Sequence, residues 1–171
     1  FFTDNLKFLH IAPEYCFIKL FKGMKNLDYI TGDLISPWAD VKMDVHDIPF
    51  SENTFDVVIC NHVLEHVKDS HKVMTEFYRV MKPGGWGIFQ VPIDTNNPNT
   101  EEDKSVTDPK ERERLYWQDD HLRLFGLDYG KKLTAAGFKV TESDFINTLD
   151  PTLVERYALP RGEIVYFCEK E

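Results

Sequence analysis

Phe55-Asp56-Val57-Val58-Ile59-Cys60 is the segment on which the fold turns. After Asp56 it is apolar and rich in β-branched side chains, as suits a strand covered on both faces and therefore a parallel sheet. Asp69 and Ser70 then offer N-caps to a helix running to about Met81, with Val73, Phe77, Val80 and Met81 on one stripe. Lys82-Pro83-Gly84-Gly85 stops that helix and turns the chain into Trp86-Gly87-Ile88-Phe89-Gln90-Val91, another strand, which Pro92 ends.

The same rhythm continues outward in both directions. Upstream, Leu6 to Ala12 predicts a strand closed by Pro13, followed by a helix from about Glu14 to Lys22 that stops at Gly23. Leu27 to Thr31 predicts a second strand ending at Gly32-Asp33, and Val41 to Asp44 a third. Downstream come a helix from about Leu127 to Ala136 with Gly137 behind it, a strand over Phe138–Ser143, a short helix over Pro151–Tyr157 and a strand over Glu163–Cys168. Strands alternating with helices define an α/β fold with a mostly parallel sheet. Residues 93–120 break the rhythm with Asn96-Asn97-Pro98-Asn99 and Glu101-Glu102-Asp103, and Asp108-Pro109 supplies a cap followed by a helix-opening proline. An irregular excursion of this length in a compact domain is usually functional or mobile.

The 171 residues, 42% hydrophobic and 13% aromatic, make one domain's worth of core. Charge is 20 Lys+Arg against 29 Asp+Glu, 20 − 29 = −9, which disfavours a nucleic acid partner in the absence of a basic patch. No apolar run approaches the ~18 residues needed to span a bilayer, so no membrane partner is expected. Cys16, Cys60 and Cys168 are odd in number and lack CxxC spacing, which suggests neither a disulfide framework nor a Cys-rich zinc site and fits a reducing cytoplasm. The chain opens on Phe1 rather than Met, and a preceding N-terminal segment is expected. Nothing in the sequence speaks to oligomeric state.

Ligands of open parallel sheets bind beyond the carboxyl ends of the strands. The residues at those ends are His10, Ala12, Pro13 and Glu14 after the first strand, Asp33 after the second, Asp44, Val45 and His46 after the third, and Asn61, His62 and His66 after the fourth. A carboxylate after the second strand suits a ribose, whose two hydroxyls it can accept. Strand ends also face water and are polar for that reason alone, so the arrangement argues more strongly than any one residue.

Asp47-Ile48-Pro49-Phe50, Asn53-Thr54-Phe55-Asp56-Val57-Val58, Asn61-His62-Val63-Leu64-Glu65-His66-Val67 and Glu76 through Gly85 follow one another as a block. As a combination this resembles the class I S-adenosylmethionine-dependent methyltransferases, specifically the type 11 group, over about residues 6 to 92. The resemblance implies a Rossmann-like seven-stranded, mostly parallel sheet with a reversed last strand and helices on both faces. It also implies one methyltransferase domain over residues 1–171, with the 93–120 excursion on the acceptor side, and methyl transfer from S-adenosylmethionine to a small-molecule or metabolite acceptor. By position, Asp33 resembles the acid that holds the ribose hydroxyls. Asp44 and Val45 resemble the pair that meets adenine, and Asn61 and His62 fall where the methionine portion lies.

The first loop departs from that family. Where an acidic residue and three glycines are usual, this chain has His10-Ile11-Ala12-Pro13-Glu14-Tyr15-Cys16. Ala12 is a mild change if its φ is negative, Pro13 removes a backbone donor, Glu14 replaces a glycine, and His10 stands in for the acid. Two readings compete. Either His10, Ala12 and Glu14 form a variant cofactor loop in which Glu14 takes the cofactor's amino group, or the chain is a non-catalytic binding relative. A nicotinamide cofactor is disfavoured by the lack of GxGxxG and by Asp44-Val45.

His62-Val63-Leu64-Glu65-His66 matches the HxxEH pattern of one class of zinc hydrolases, read here as opening a helix, where residues four apart share a face. Its flanks belong to the methyltransferase-like block, so no metal is assigned. A general base with a pKa near 7 helps when a hydroxyl or amine is methylated. His121, at the close of the excursion, is the catalytic candidate, and Arg123 the residue expected to bind an acceptor carboxylate or phosphate. The competing reading for both is that they tie the excursion to the core through Asp119 or Asp120. Tyr116, Trp117, Phe125 and Tyr129 around them line either an acceptor pocket or the core.

Overall fold

A computed structural model describes residues 2–171. A single seven-stranded sheet has the order β3-β2-β1-β4-β5-β7-β6. The strands are β1 (Leu6–Ile11), β2 (Leu27–Asp33), β3 (Val41–Lys42), β4 (Phe55–Asn61), β5 (Met81–Gln90), β6 (Lys139–Ser143) and β7 (Val165–Glu169). β1 to β5 pair in parallel, and β7 runs antiparallel to both β5 and β6. The reversed final strand expected from the sequence is present. The order reverses at β1, which places the carboxyl ends of β1 and β4 beside each other at the switch point.

Strand alternation divides the core between two faces. Leu9, Ile11, Val58, Cys60 and Phe89 share one apolar cluster with Val73, Met74, Phe77 and Val80 of α2 (Ser70–Val80) and Leu133 of α4 (Tyr129–Ala135). Phe77 and Phe89 meet with ring centroids 4.9 Å apart. Each such apolar side chain contributes about 1.5–3 kcal/mol by leaving water. On the opposite face Phe8 packs against Phe21 of α1 (Tyr15–Lys22), centroids 5.1 Å apart, and His10 lies over Phe17 and Phe21. Helices therefore cover both faces.

The caps fall where the side chains predict them. Asp69 accepts from the Lys72 N–H at 2.9 Å and starts α2. Gly137, at φ 110°, follows α4 in a conformation that a Cβ would strain. The predicted helix of residues 127–136 narrows to Tyr129–Ala135, and β2 extends to Asp33 while β3 shrinks to two residues. The excursion is not structureless. It contains α3 (Pro109–Tyr116), capped by Asp108, and is pinned to the body by the Glu101–Leu124 bridge and by Thr100, which donates to Asp128. A 3-10 turn (Phe145–Thr148) and α5 (Pro151–Arg156) lead into β7. Among the described residues no helix is long and apolar enough to cross a membrane, and all three cysteines are free thiols.

Candidate functional site

β1 ends at Ile11 because Ala12 turns into the left-handed region at φ 47°, its N–H donating to Gly32 O at 2.8 Å. The condition under which Ala12 would be a mild change, a negative φ, is not met. An L-residue pays roughly 1–2 kcal/mol there, a cost that glycine avoids. The turn sends Glu14 back over the strand ends, where it N-caps α1 by backbone geometry alone.

Glu14 anchors a chain of hydrogen bonds. His10 Nε2 lies 2.7 Å from Glu14 Oε2, His10 Nδ1 lies 2.8 Å from the Tyr29 hydroxyl, and Asn61 Nδ2 donates to Glu14 Oε1 at 2.8 Å. Burial pushes the Tyr29 phenol well up, so its O–H is retained and donates to His10 Nδ1, leaving Nε2–H to donate to the carboxylate. Partial burial pulls the Glu14 carboxyl upward, but the bonds from His10 and Asn61 outweigh it and bring it down to about 2. At neutral pH Glu14 is a fixed anion with about a third of its side chain open. His10 itself has no exposed surface and is sandwiched among Phe8, Phe17, Phe21 and Tyr29. The expectation that His10 touches a ligand is corrected: it orients Glu14. Tyr29 was missed. It lies diagonally across from His10 in the Phe8–Tyr29, His10–Thr31 register, which sequence pattern does not disclose.

Asp33 ends β2 and uses Oδ1 to accept from the Ile35 and Ser36 N–H groups at 2.8 and 2.7 Å, leaving Oδ2 without a hydrogen-bond donor among the described residues. Asp44 is mostly exposed and fixed by His46 through both backbone N–H and ring, and the His46 bonds lower its carboxyl pKa. Among the described residues the N–H of Val45 finds no hydrogen-bond acceptor. Ala12, Glu14, Asp33, Asp44, Val45 and Asn61 thus sit at the carboxyl ends of β1 to β4 or just beyond them, on one edge of the sheet.

The segment after β4 differs from expectation. His62 adopts φ 55°, and residues 62–69 form successive turns rather than the start of a helix, which begins only at Ser70. The HxxEH residues therefore do not share a helix face. His62 Nδ1 lies 3.4 Å from Glu65 Oε1, and that interaction raises the imidazole pKa of this largely exposed ring. Glu65 and His121 are each 1% exposed. His121 Nδ1 lies 2.7 Å from Tyr116 O and can only donate there, so in the neutral ring Nε2 carries the lone pair. A buried ring facing Glu65 and His66 is not an open base for an acceptor, so His121 is corrected from that role. Arg123, also 1% exposed, spends its five N–H donors on Leu64 O, Val67 O, Lys68 O and both oxygens of Glu102. It has none left for a substrate and instead clamps the 62–69 turns to the excursion, through Glu102 rather than Asp119 or Asp120. Tyr116, Phe125 and Tyr129 are core, with the Tyr129 hydroxyl donating to Phe89 O. Trp117 alone of the four is exposed.

Among the described residues, three buried side-chain atoms have no hydrogen-bond partner: Asn61 Oδ1, Glu65 Oε2 and His121 Nε2. Such atoms typically cost about 1–3 kcal/mol each, so Asn61 at the end of β4 and the Glu65–His121 pair each call for a ligand. A 440 Å³ cavity lined by Lys7, Lys25, Asp56 and Lys82 lies at the opposite, amino ends of the strands, where a parallel sheet does not build its site.

Residues 23–89 match the family described as Methyltransferase domain. The match runs through β2 to β5 and leaves out β1, the Ala12–Glu14 loop and the excursion. A ubiquinone/menaquinone biosynthesis C-methyltransferase of Desulfotalea psychrophila is 45% identical over 55 residues, 32% of this chain and 21% of that protein. The sterol 24-C-methyltransferase of Saccharomyces cerevisiae is 28% identical over 91% of this chain and 37% of its own length. The chain thus matches about a fifth to somewhat more than a third of the length of these curated relatives. Among solved structures, the Burkholderia thailandensis 1,6-didemethyltoxoflavin-N1-methyltransferase, with S-adenosylhomocysteine bound, superposes at a TM-score of 0.66. It is 14% identical and covers 98% of this chain and 72% of that one. At that identity the likeness is one of fold.

Proposed function

We propose that the chain is an S-adenosylmethionine-dependent methyltransferase acting on a small-molecule acceptor. The observation that carries the reading is the Glu14–Asn61 pair: an ionised carboxylate held by His10 beside an unpartnered amide oxygen. A primary ammonium, three donors and one positive charge, complements that pair, and the cofactor's methionine portion carries one. Asp33 Oδ2 suits ribose hydroxyls, and the Val45 N–H suits an adenine ring nitrogen, with Asp44 beside it for the exocyclic amine.

Bound there, the cofactor supplies a methyl group on a sulfonium centre. The chain's own residues bind and orient, and positioning supplies much of the acceleration in such transfers. Glu14 counters charge, Asn61 and Asp33 fix the two ends, and the left-handed backbone at Ala12 lets the loop pass close to the ligand. Quinone- and sterol-directed C-methyltransferases among the relatives favour a small-molecule acceptor, and three free thiols suit a reducing, cytoplasmic setting. The test is amide and side-chain chemical-shift mapping of the isotope-labelled 20.0 kDa protein with S-adenosylhomocysteine. Shifts centred on Ala12, Glu14, Asp33, Val45 and the Asn61 amide are expected. Shifts centred elsewhere, or none, overturn the reading in favour of a non-catalytic relative.

A further inference from the structure

Glu65, His66 and His121 each present a donor atom, and the three atoms lie within 4.8 Å of one another. We propose that these three residues form a binding site for a divalent transition-metal ion such as Zn²⁺, Mn²⁺ or Co²⁺, closed toward the core and open where His66 reaches solvent. The sequence reading assigned no metal. The site is also not the HxxEH motif, because His121, brought in from the end of the excursion, takes the place that motif gives to His62.

Three features point the same way. Buried Glu65 Oε2 and His121 Nε2 both lack protein partners. With Nδ1–H given to Tyr116 O, the neutral His121 ring keeps its lone pair on Nε2, so two buried acceptors share one site with Glu65, an arrangement a cation resolves. The second feature is the outer support of the rings. Metal-bound histidines typically donate their other nitrogen to a backbone carbonyl or a carboxylate. His121 Nδ1 meets Tyr116 O at 2.7 Å, and His66 Nδ1 meets Asp120 Oδ2 at 3.3 Å. Both Nε2 atoms are thereby left for the centre, with His66 Nε2 4.0 Å from Glu65 Oε1 and the two rings edge to face at 4.7 Å.

The third feature is rigidity. Arg123 holds Leu64 O and Val67 O on either side of Glu65 and His66, and the Leu122 N–H donates to Glu65 O at 2.8 Å. The residues flanking His121 thus fasten the turn that carries the other two ligands. Metal–ligand bonds of about 2.0–2.2 Å place neighbouring donors roughly 3.3 Å apart, so the set draws in by less than about 1.5 Å on binding. Two imidazoles and one carboxylate suit borderline metals and leave coordination positions open. The turn begins next to Asn61, so an acceptor oxygen entering an open position would lie beside the proposed cofactor pocket; that clause alone rests on the methyl-transfer reading.

The test is titration of chelator-treated protein with CoCl2 or ZnCl2 in the absence of cofactor, followed by absorbance and calorimetry. One equivalent is expected to bind. Glu65→Gln and His121→Ala are expected to lower the affinity at least about tenfold, and His62→Ala by less than about threefold. In the unmutated protein, substoichiometric Mn²⁺ is expected to broaden the imidazole resonances of His66 and His121 before those of the other histidines, which does not depend on any variant folding. No stoichiometric binding, binding unaffected by both Glu65→Gln and His121→Ala, or Mn²⁺ broadening elsewhere overturns the proposal. All of these readouts are blind to methyl transfer, so they fail separately from that reading.

Discussion

Replacing Glu14 with glutamine keeps the shape of the loop and removes its charge, and its consequences can be worked from the geometry. A carboxyl held at about 2 rather than 4.5 is favoured in its ionised form by 4.5 − 2, about 2.5 decades, or about 3.4 kcal/mol at 1.36 kcal/mol per decade. With about a third of the side chain open to solvent, screening reduces this to about 1–2 kcal/mol. The carboxyl is lowered in the folded state, so this stabilisation is fully present above about 4.5 and disappears as pH falls toward about 2. Glutamine can still accept from His10, and Asn61 can turn its amide to accept from the new donor, so the loss is chiefly electrostatic. The Glu14→Gln protein should therefore be about 1–2 kcal/mol less stable than wild type at pH 7, lowering Tm by roughly 2–8 °C. The two proteins should converge by about pH 2.5. Urea unfolding at pH 7, 5, 4 and 3 measures the gap. A gap that stays constant across that range, or is absent at pH 7, would refute the ionised, clamped Glu14.

Other perturbations separate the remaining roles. Asp33→Ala should weaken S-adenosylhomocysteine binding by about 1–3 kcal/mol, and Asp33→Asn, which keeps the Oδ1 turn to Ile35 and Ser36, should weaken binding while retaining wild-type stability. If Asp33→Asn binds as tightly as wild type, the carboxylate does not hold the ribose. Arg123→Met strands the Leu64 and Val67 carbonyls and Glu102, and should cost about 3–5 kcal/mol by chemical denaturation; a loss under about 1 kcal/mol contradicts the clamp. Ala12→Val places a β-branched side chain at φ 47° and should cost about 1–3 kcal/mol, and a neutral result would mean the loop is not left-handed.

The sheet was legible because its signals are local. β-Branched runs such as Phe55–Cys60, the Asp69 cap and Gly137 all act within a few residues, and most predicted strand ends lie close to the observed ones, except that β5 begins at Met81, through the expected Lys82–Gly85 turn, rather than at Trp86. What stayed hidden depends on backbone sign and on packing across the chain. Left-handed His62 converts an expected helix start into turns, and left-handed Ala12 reverses the sense in which that alanine is mild. Arg123 reads as an acceptor-binding cation in one dimension, but three backbone carbonyls and Glu102 converge on it only once the excursion folds back. His121 meets Glu65 and His66 through that same closure, and Tyr29 meets His10 only through strand register. These are tertiary coincidences without a sequence period.

The most direct measurement is calorimetric titration of the protein with S-adenosylmethionine and S-adenosylhomocysteine, wild type beside Glu14→Gln. The account predicts one site with micromolar affinity, weakened at least about tenfold by the substitution, as loss of a charge-assisted contact requires. No binding at millimolar ligand, or binding indifferent to Glu14, would contradict it.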